Sequence, residues 1–178
     1  HQIVADMAKI PRKQAKNINL GLSYGMGKAK LVKELGLNDS EAEILLAQYH
    51  EKVPFIKGLQ DQCARVAMDR GYIKTLAGRR CHFDLWEHKY DKSLPLPLEE
   101  AREKYGDVLR RSYTYKALNR LIQGSAADMT KLAMLGLWEE GIVPHVQVHD
   151  EVDISIHDNE QAATVSRIME NCVELAVP

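Results

Sequence analysis

Arg12-Lys13-Gln14-Ala15-Lys16-Asn17-Ile18-Asn19-Leu20-Gly21-Leu22-Ser23-Tyr24-Gly25-Met26-Gly27 is the stretch from which the rest of the chain is best read. Arg12, Lys16, Leu20 and Tyr24 recur at every fourth position, and Gly25 follows directly. Four residues turn an α-helix by slightly more than one revolution, so these side chains form one gently drifting stripe. The stripe has two cations at one end, an apolar residue in the middle and an aromatic against a glycine at the other. Cations spaced i, i+4 on a helix repel mildly, which an anionic ligand would offset. The order suits a nucleoside triphosphate: Arg12 and Lys16 for phosphates, Leu20 for the sugar, the Tyr24 ring for a base. The plain alternative is a solvated helix face.

A second constellation lies far downstream. Val146-Gln147-Val148-His149-Asp150-Glu151-Val152 sets two acids between two alternating runs, over 143–148 and 152–156. Alternation with a period of two reads as a pair of half-buried strands, so the acids fall at the tip of an antiparallel hairpin. That is a natural place for a divalent metal, although Asp also favours turns for its own reasons.

Bulk properties set the frame. The chain has 178 residues, 45% of them hydrophobic, which fits one compact domain or two small subdomains. A formal net charge of -1 gives no global basic signature, so any nucleic-acid contact must come from local clustering of the 24 Lys and Arg. Cys63, Cys81 and Cys172 have no paired spacing, against a zinc site or disulfide framework and in keeping with a reducing, cytoplasmic setting. No apolar run approaches the ~20 residues that span a bilayer, so no membrane partner is expected. The chain opens on His1 without a signal-peptide pattern and reads as part of something longer.

The coarse reading is an α+β order: a mostly helical part, then a hairpin with flanking helices. Helices are expected over 2–9, from Pro11 to Tyr24, over 28–35, after an Asn38 cap, and over 55–70 ending at Gly71. Ile44, Leu45 and Tyr49 are expected to face inward. Residues 72–83 read as a hairpin with a tight turn at Ala77-Gly78. Residues 85–107 read as a surface insertion with one short helix. A long helix is expected over 109–139, with Leu118, Leu121, Ile122, Met129, Leu132 and Leu137 on its apolar side. Gly124 within it points to a kink or a close backbone approach. A last helix follows Asp158-Asn159, with Ala162, Val165, Ile168 and Met169 inward. Trp86 and Trp138 read as packing residues, and His82, His88, His145 and His157 as surface residues.

Four segments in this order resemble family A DNA polymerases, the bacterial DNA polymerase I and phage replicase type. Arg12 to Gly27 resembles the family's motif B on the fingers, and His149-Asp150-Glu151 its motif C in the palm. Thr75-Leu76-Ala77-Gly78-Arg79-Arg80 and Asn119-Arg120-Leu121-Ile122-Gln123-Gly124-Ser125-Ala126-Ala127-Asp128 match further signatures between them. The likeness covers nearly the whole chain and is weakest over 85–112. It implies a fingers subdomain over 1–108 and a partial palm over 109–178. It implies that the chain is a fragment of a DNA-directed DNA polymerase, a nucleotidyltransferase joining deoxynucleoside triphosphates to a primer 3′ end.

Residue roles follow from the same resemblance. Arg12 and Lys16 would grip the triphosphate, and Lys16 would also protonate departing pyrophosphate. Leu20 would meet the sugar. Tyr24, with Gly25, would lie by the nascent base pair and the template. Asp150 would bind catalytic Mg2+ in a two-metal site, with Glu151 beside it and His149 near the primer end. Asn119 and Gln123 would reach the minor groove of primer-template DNA, where acceptors shared by all correct pairs let an amide sense pair shape. The resemblance also implies partners outside the chain: motif A with the second metal-binding aspartate, and the thumb.

Leu20 stands where the family usually has Phe or Tyr, and Tyr115, beside Lys116, where many members have a basic residue. Arg79 and Arg80 read as structural, or as bound to a phosphate in passing. Two other functions share parts of the pattern. A single-subunit RNA polymerase has a cation-rich motif B ending in Tyr-Gly, and a non-catalytic nucleotide- or DNA-binding module would keep the cations without turnover.

Overall fold

The computed structural model describes residues 1–176. They form two compact units: His1–Ile73 with His82–Asn119, and Lys74–Cys81 with the chain from Arg120 onward. The architecture is α+β: α-helices joined by short antiparallel ladders.

The first unit begins with five helices: α1 (Gln2–Ala8), α2 (Arg12–Ser23), α3 (Lys28–Leu35), α4 (Asp39–Lys52) and α5 (Pro54–Arg70). Local chemistry sets their ends. Pro11 precedes α2, and Pro54 opens α5, where a missing N–H is harmless. Asn38 and Glu41 form a reciprocal capping box at the start of α4. The apolar stripe of α2 is Ala15, Ile18 and Leu22. It packs with Val4, Leu31, Leu45 and Tyr49 in the core of this unit. Burying a Val, Ile or Leu side chain stabilises by ~1.5–3 kcal/mol. Ile44 does not join them and is 59% exposed. Ala42, Leu45 and Tyr49 make the inward line on α4, and one residue of helix turns Ile44 about 100° away from it.

The stretch read as a surface insertion is a built substructure. β3 (Leu85–His88) is flanked by β4 (Leu96–Pro97) and β5 (Leu109–Arg111), both antiparallel, with α6 (Leu98–Tyr105) between the flanking strands in sequence. Arg111 anchors it: its guanidinium lies 4.4 Å from the Trp86 ring centre and donates to the carbonyls of Met68 and Phe83. Glu87 accepts from Arg110 and from the buried Ser112. The long helix expected from residue 109 therefore starts later. Leu109–Arg111 is a strand, Thr114–Lys116 a 3-10 turn, and α7 runs over Ala117–Glu139. The pairing of β5 with β3 joins residues more than twenty positions apart, which helical periodicity does not register.

β1 (Tyr72–Lys74) and β2 (Arg80–His82) pair as expected, around a turn in which Thr75 N–H donates to Arg79 O and Gly78 N–H to Thr75 O. In the second unit β6 (Val146–Val148) pairs with β7 (Glu151–Asp153), Val148 opposite Glu151. Asp158 caps α8 (Asn159–Asn171) through its side chain. The core of this unit is Leu137, Ile142 and Ile168, with Val152, Ile154, Val165 and Met169 against it. On α7, Leu118 and Leu137 are buried, whereas Ile122, Leu132 and Trp138 are exposed, Trp138 by 64%. Small and polar residues (Ser125, Asp128, Ala133) take the inward positions instead. Cys63, Cys81 and Cys172 are free thiols, and burial raises the pKa of Cys63. No helix among the described residues is long and apolar enough to cross a membrane.

Candidate functional site

In the first unit the site residues stand on α2 and just beyond it. Because Ala15, Ile18 and Leu22 turn to the core, Arg12 and Lys16 are left on the open side, and Leu20 is 40% exposed. Among the described residues neither Arg12 nor Lys16 has an ion-pair partner. The cations of this stripe are thus held close together and uncompensated, an arrangement that attracts a polyanion. The C-terminal end of α2 is fixed from two sides. Gln60 of α5 donates through its side-chain amide to the carbonyls of Leu22 and Ser23, at 2.9 and 3.0 Å. Those are carbonyls a helix end leaves without intrahelical partners. Ser23 Oγ lies 3.0 Å from the Tyr49 hydroxyl.

Tyr24 is the half-buried C-cap of α2. Gly25 follows with φ 85, left-handed backbone that favours glycine, and a Cβ there would meet Tyr115 O at 3.5 Å. Beside it the Lys116 ammonium lies 4.4 Å from the Tyr113 ring centre and 5.6 Å from that of Tyr115. A cation therefore remains next to the position where Tyr115 departs from the family pattern. Asn119, half-buried, stands in the first turn of α7.

In the second unit Gln123, His149 and Asp150 line one open cavity of about 450 Å3, together with Ala126, Ala127 and Thr130. The β6–β7 loop is only His149 and Asp150, since Val148 pairs with Glu151. Glu151, read as part of the turn, is instead the first residue of β7 and does not line the cavity. His149 takes φ 56, a left-handed setting that two-residue hairpin loops require and that His tolerates better than most residues. The side-chain amide of Gln147 donates to the His149 carbonyl and braces the loop. The Asp150 carboxylate is thereby presented at an exposed tip.

Could the residues present hold a divalent ion? No group of three His, Cys, Asp or Glu side chains gathers among the described residues. Mg2+, however, binds through one or two carboxylates plus substrate phosphates and water rather than an all-protein cage. A single exposed Asp fits as one part of such a set.

The sequence profile of DNA polymerase family A matches residues 2–178. The chain belongs to DNA polymerase family A. It is 39% identical over 212 aligned residues to a DNA-directed DNA polymerase of Pseudomonas phage M6, taking in 100% of this chain and 29% of that protein. It is 34% identical over 175 residues to the thermostable DNA polymerase I of Thermus aquaticus, taking in 94% of this chain and 19% of that one. Among solved structures it is similar to the POL domain of Pol1 from M. smegmatis, in complex with DNA primer-template and dNTP. The TM-score is 0.74 at 28% identity, over 100% of this chain and 32% of that chain. The chain therefore spans about a fifth to a third of the length of these relatives.

Two features of this family A chain are not visible in its motifs. One is the bracing of α2 by Gln60 and Tyr49. Gln60 lies 37 and 38 residues from the carbonyls it serves, so no local signal marks it. The other is the grip of the 75–79 turn on α7. Arg79 Nε donates to Asp128 Oδ1 at 2.8 Å, and Arg79 Nη2 to Gly124 O at 3.0 Å. Ser125 Oγ accepts from Leu76 N–H at 3.0 Å and donates to Leu121 O at 2.7 Å. The structural reading of Arg79 is the one this geometry supports. Gly124 is needed for the close approach: a Cβ there would sit 2.8 Å from Thr75 Cγ2.

Proposed function

We propose that the chain is the fingers (1–108) and part of the palm (109–178) of a template-directed DNA polymerase. The intact enzyme joins a deoxynucleoside triphosphate to a primer 3′-hydroxyl and releases pyrophosphate. The compact units are cut elsewhere: 74–81 groups with the chain from Arg120, and 109–119 with the residues before it. The observation that carries the proposal is the cavity on which Gln123, His149 and Asp150 converge. An amide suited to a base-pair edge, an imidazole and a metal-binding carboxylate there meet in one space. The membership of the chain in family A, and the DNA and dNTP in the complex of a similar POL domain, support the same reading.

Phosphoryl transfer asks a protein for positioning and charge neutralisation more than for covalent chemistry. In this reading Arg12 and Lys16 hold the triphosphate, and Lys16 gives a proton to the pyrophosphate as it leaves. Leu20 packs against the sugar, and Tyr24 and Gly25 lie by the base pair and template. Asn119 and Gln123 follow the minor groove, and His149 lies by the primer end. Asp150, with Glu151 beside it, contributes to holding Mg2+. That ion, when bound, neutralises phosphate charge and activates the attacking and leaving oxygens. Motif A, with the second aspartate, and the thumb are contributed by polymerase outside residues 1–178. The setting is the cytoplasm of a bacterial or phage-infected cell.

The test is single-nucleotide primer extension by the intact polymerase carrying this segment. Asp150→Asn is expected to abolish turnover while salt-sensitive DNA binding persists. Lys16→Ala is expected to lower kcat/KM on the order of 100-fold. Turnover unchanged by Asp150→Asn would leave only a DNA-binding role.

A further inference from the structure

We infer that Arg79, Asp128 and Thr75 form a clasp that sets the rotation of α7 and so positions Gln123 in the cavity it shares with His149 and Asp150. The inference rests on the polymerase reading and adds Arg79 and Asp128 to it as positioning residues.

The grip and the cavity use opposite sides of one helix. Gly124, Ser125 and Asp128 receive the contacts of the 75–79 turn. Gln123, Ala126, Ala127 and Thr130 line the cavity. Ala126, Ala127 and Thr130 repeat the spacing of the gripped residues two positions on, which is a rotation of about 200° around the helix, and Gln123 lies one turn before Ala126 and Ala127 on the same side. Whatever fixes the first set therefore fixes the direction of the second. Side-chain ends stand roughly 5–6 Å from a helix axis, so a 20° rotation moves the Gln123 amide by about 2 Å. A misplacement of that size at a reacting centre costs on the order of 100-fold in rate.

The clasp is built to resist such rotation. Arg79 spans two points on α7, the Gly124 carbonyl next to Gln123 and the Asp128 carboxylate one turn on. Thr75 Oγ1 accepts from Arg79 N–H at 3.1 Å and so steadies the backbone from which the guanidinium reaches α7. Asp128 is 7% exposed, and its Oδ2 is buried without a hydrogen-bond partner. A buried carboxylate in that state depends on its cation. The Thr75 hydroxyl, and after it Arg79, holds the Asp128 carboxyl below the ordinary carboxylate range. The open Cα of Gly124 lets the turn approach closely enough for all of this.

The experiment is a double-mutant cycle in the intact polymerase, read as single-nucleotide incorporation from matched and mismatched primer ends. Arg79→Lys keeps the charge but not the two-point fork. It is expected to lower kcat about tenfold with nucleotide KM within about twofold, and to weaken mismatch discrimination. In the Gln123→Ala background the same substitution is expected to cost less than about twofold, because the group it positions is gone. Equal losses in both backgrounds, or wild-type kcat for Arg79→Lys, overturn the inference. Should Arg79→Lys not fold, judged by thermal melting, Asp128→Asn enters the same cycle with the same expectations. Gln123→Ala without any effect removes both Gln123 from the proposed site and the clasp with it. Loss of turnover in Asp150→Asn is independent of either and keeps the polymerase reading separable.

Discussion

Leu20 stands one helical turn beyond Lys16 on the open side of α2, half in water. On the proposed reading, an aliphatic side chain there would offer the sugar of a bound nucleotide shape but no hydroxyl. Leu20→Tyr in the intact polymerase adds a phenol at that point. It is expected to raise incorporation of dideoxynucleotides relative to deoxynucleotides, measured as a ratio of kcat/KM values. An unchanged ratio would remove Leu20 from the sugar contact. Lys16 and Arg12 differ from Leu20 in kind. They lack ion-pair partners among the described residues, so their charges are available to a ligand rather than committed within the fold.

At the scale of elements, the helices of the first unit are set by their termini and by the neighbours they pack on. α4 begins with a complete capping box, in which Asn38 Oδ1 accepts from Glu41 N–H and Glu41 Oε2 accepts from Asn38 N–H, both at 2.9 Å. Asn38→Ala removes half of it and is expected to destabilise the chain by ~1 kcal/mol, measured from denaturant unfolding. The cost reaches α2, because Tyr49 of α4 touches Ser23 at the end of the cation-bearing helix. β6 and β7 behave differently. Their two-residue loop is held by pairing and by Gln147, so it needs no cap, and its acid is left at the tip.

For the whole molecule, the half-buried His50 and the buried Asp128 tie stability to pH with the same sign. The pKa of His50 is lowered, first by burial and then by the charge of Lys57, with Asp61 opposing. Asp128 is lowered by the Thr75 and Arg79 contacts. A group with a lower pKa in the folded state binds its proton more readily when unfolded, so its stabilisation is complete above the unfolded value and lost as pH falls through the folded one. Stability is expected to be flat above pH ~6.5, to decline below it as His50 charges, and to decline again below ~4 through Asp128. Denaturant midpoints across this range check the order, and Asp128→Asn is expected to remove the lower step. Residues 1–178 alone are expected to give no Mg2+-dependent primer extension, since the proposed two-metal chemistry needs a second aspartate beside the single carboxylate that Asp150 lends to the cavity. Robust extension by that chain would show that its own donors suffice. The amino-acid order by itself determined the helices over 2–70, the hairpins and the family, because caps, proline and glycine stops, period-two alternation and motif order are local signals. It also marked Gly124 as a point of close approach. It missed β3, β4 and β5, the outward turn of Ile44 and Trp138, the Gln60 brace and the Arg79–Asp128 clasp. Each of these depends on which residue, tens of positions away, comes to lie opposite. That is settled only when side chains compete for the same buried volume and the same unpaired carbonyls in three dimensions.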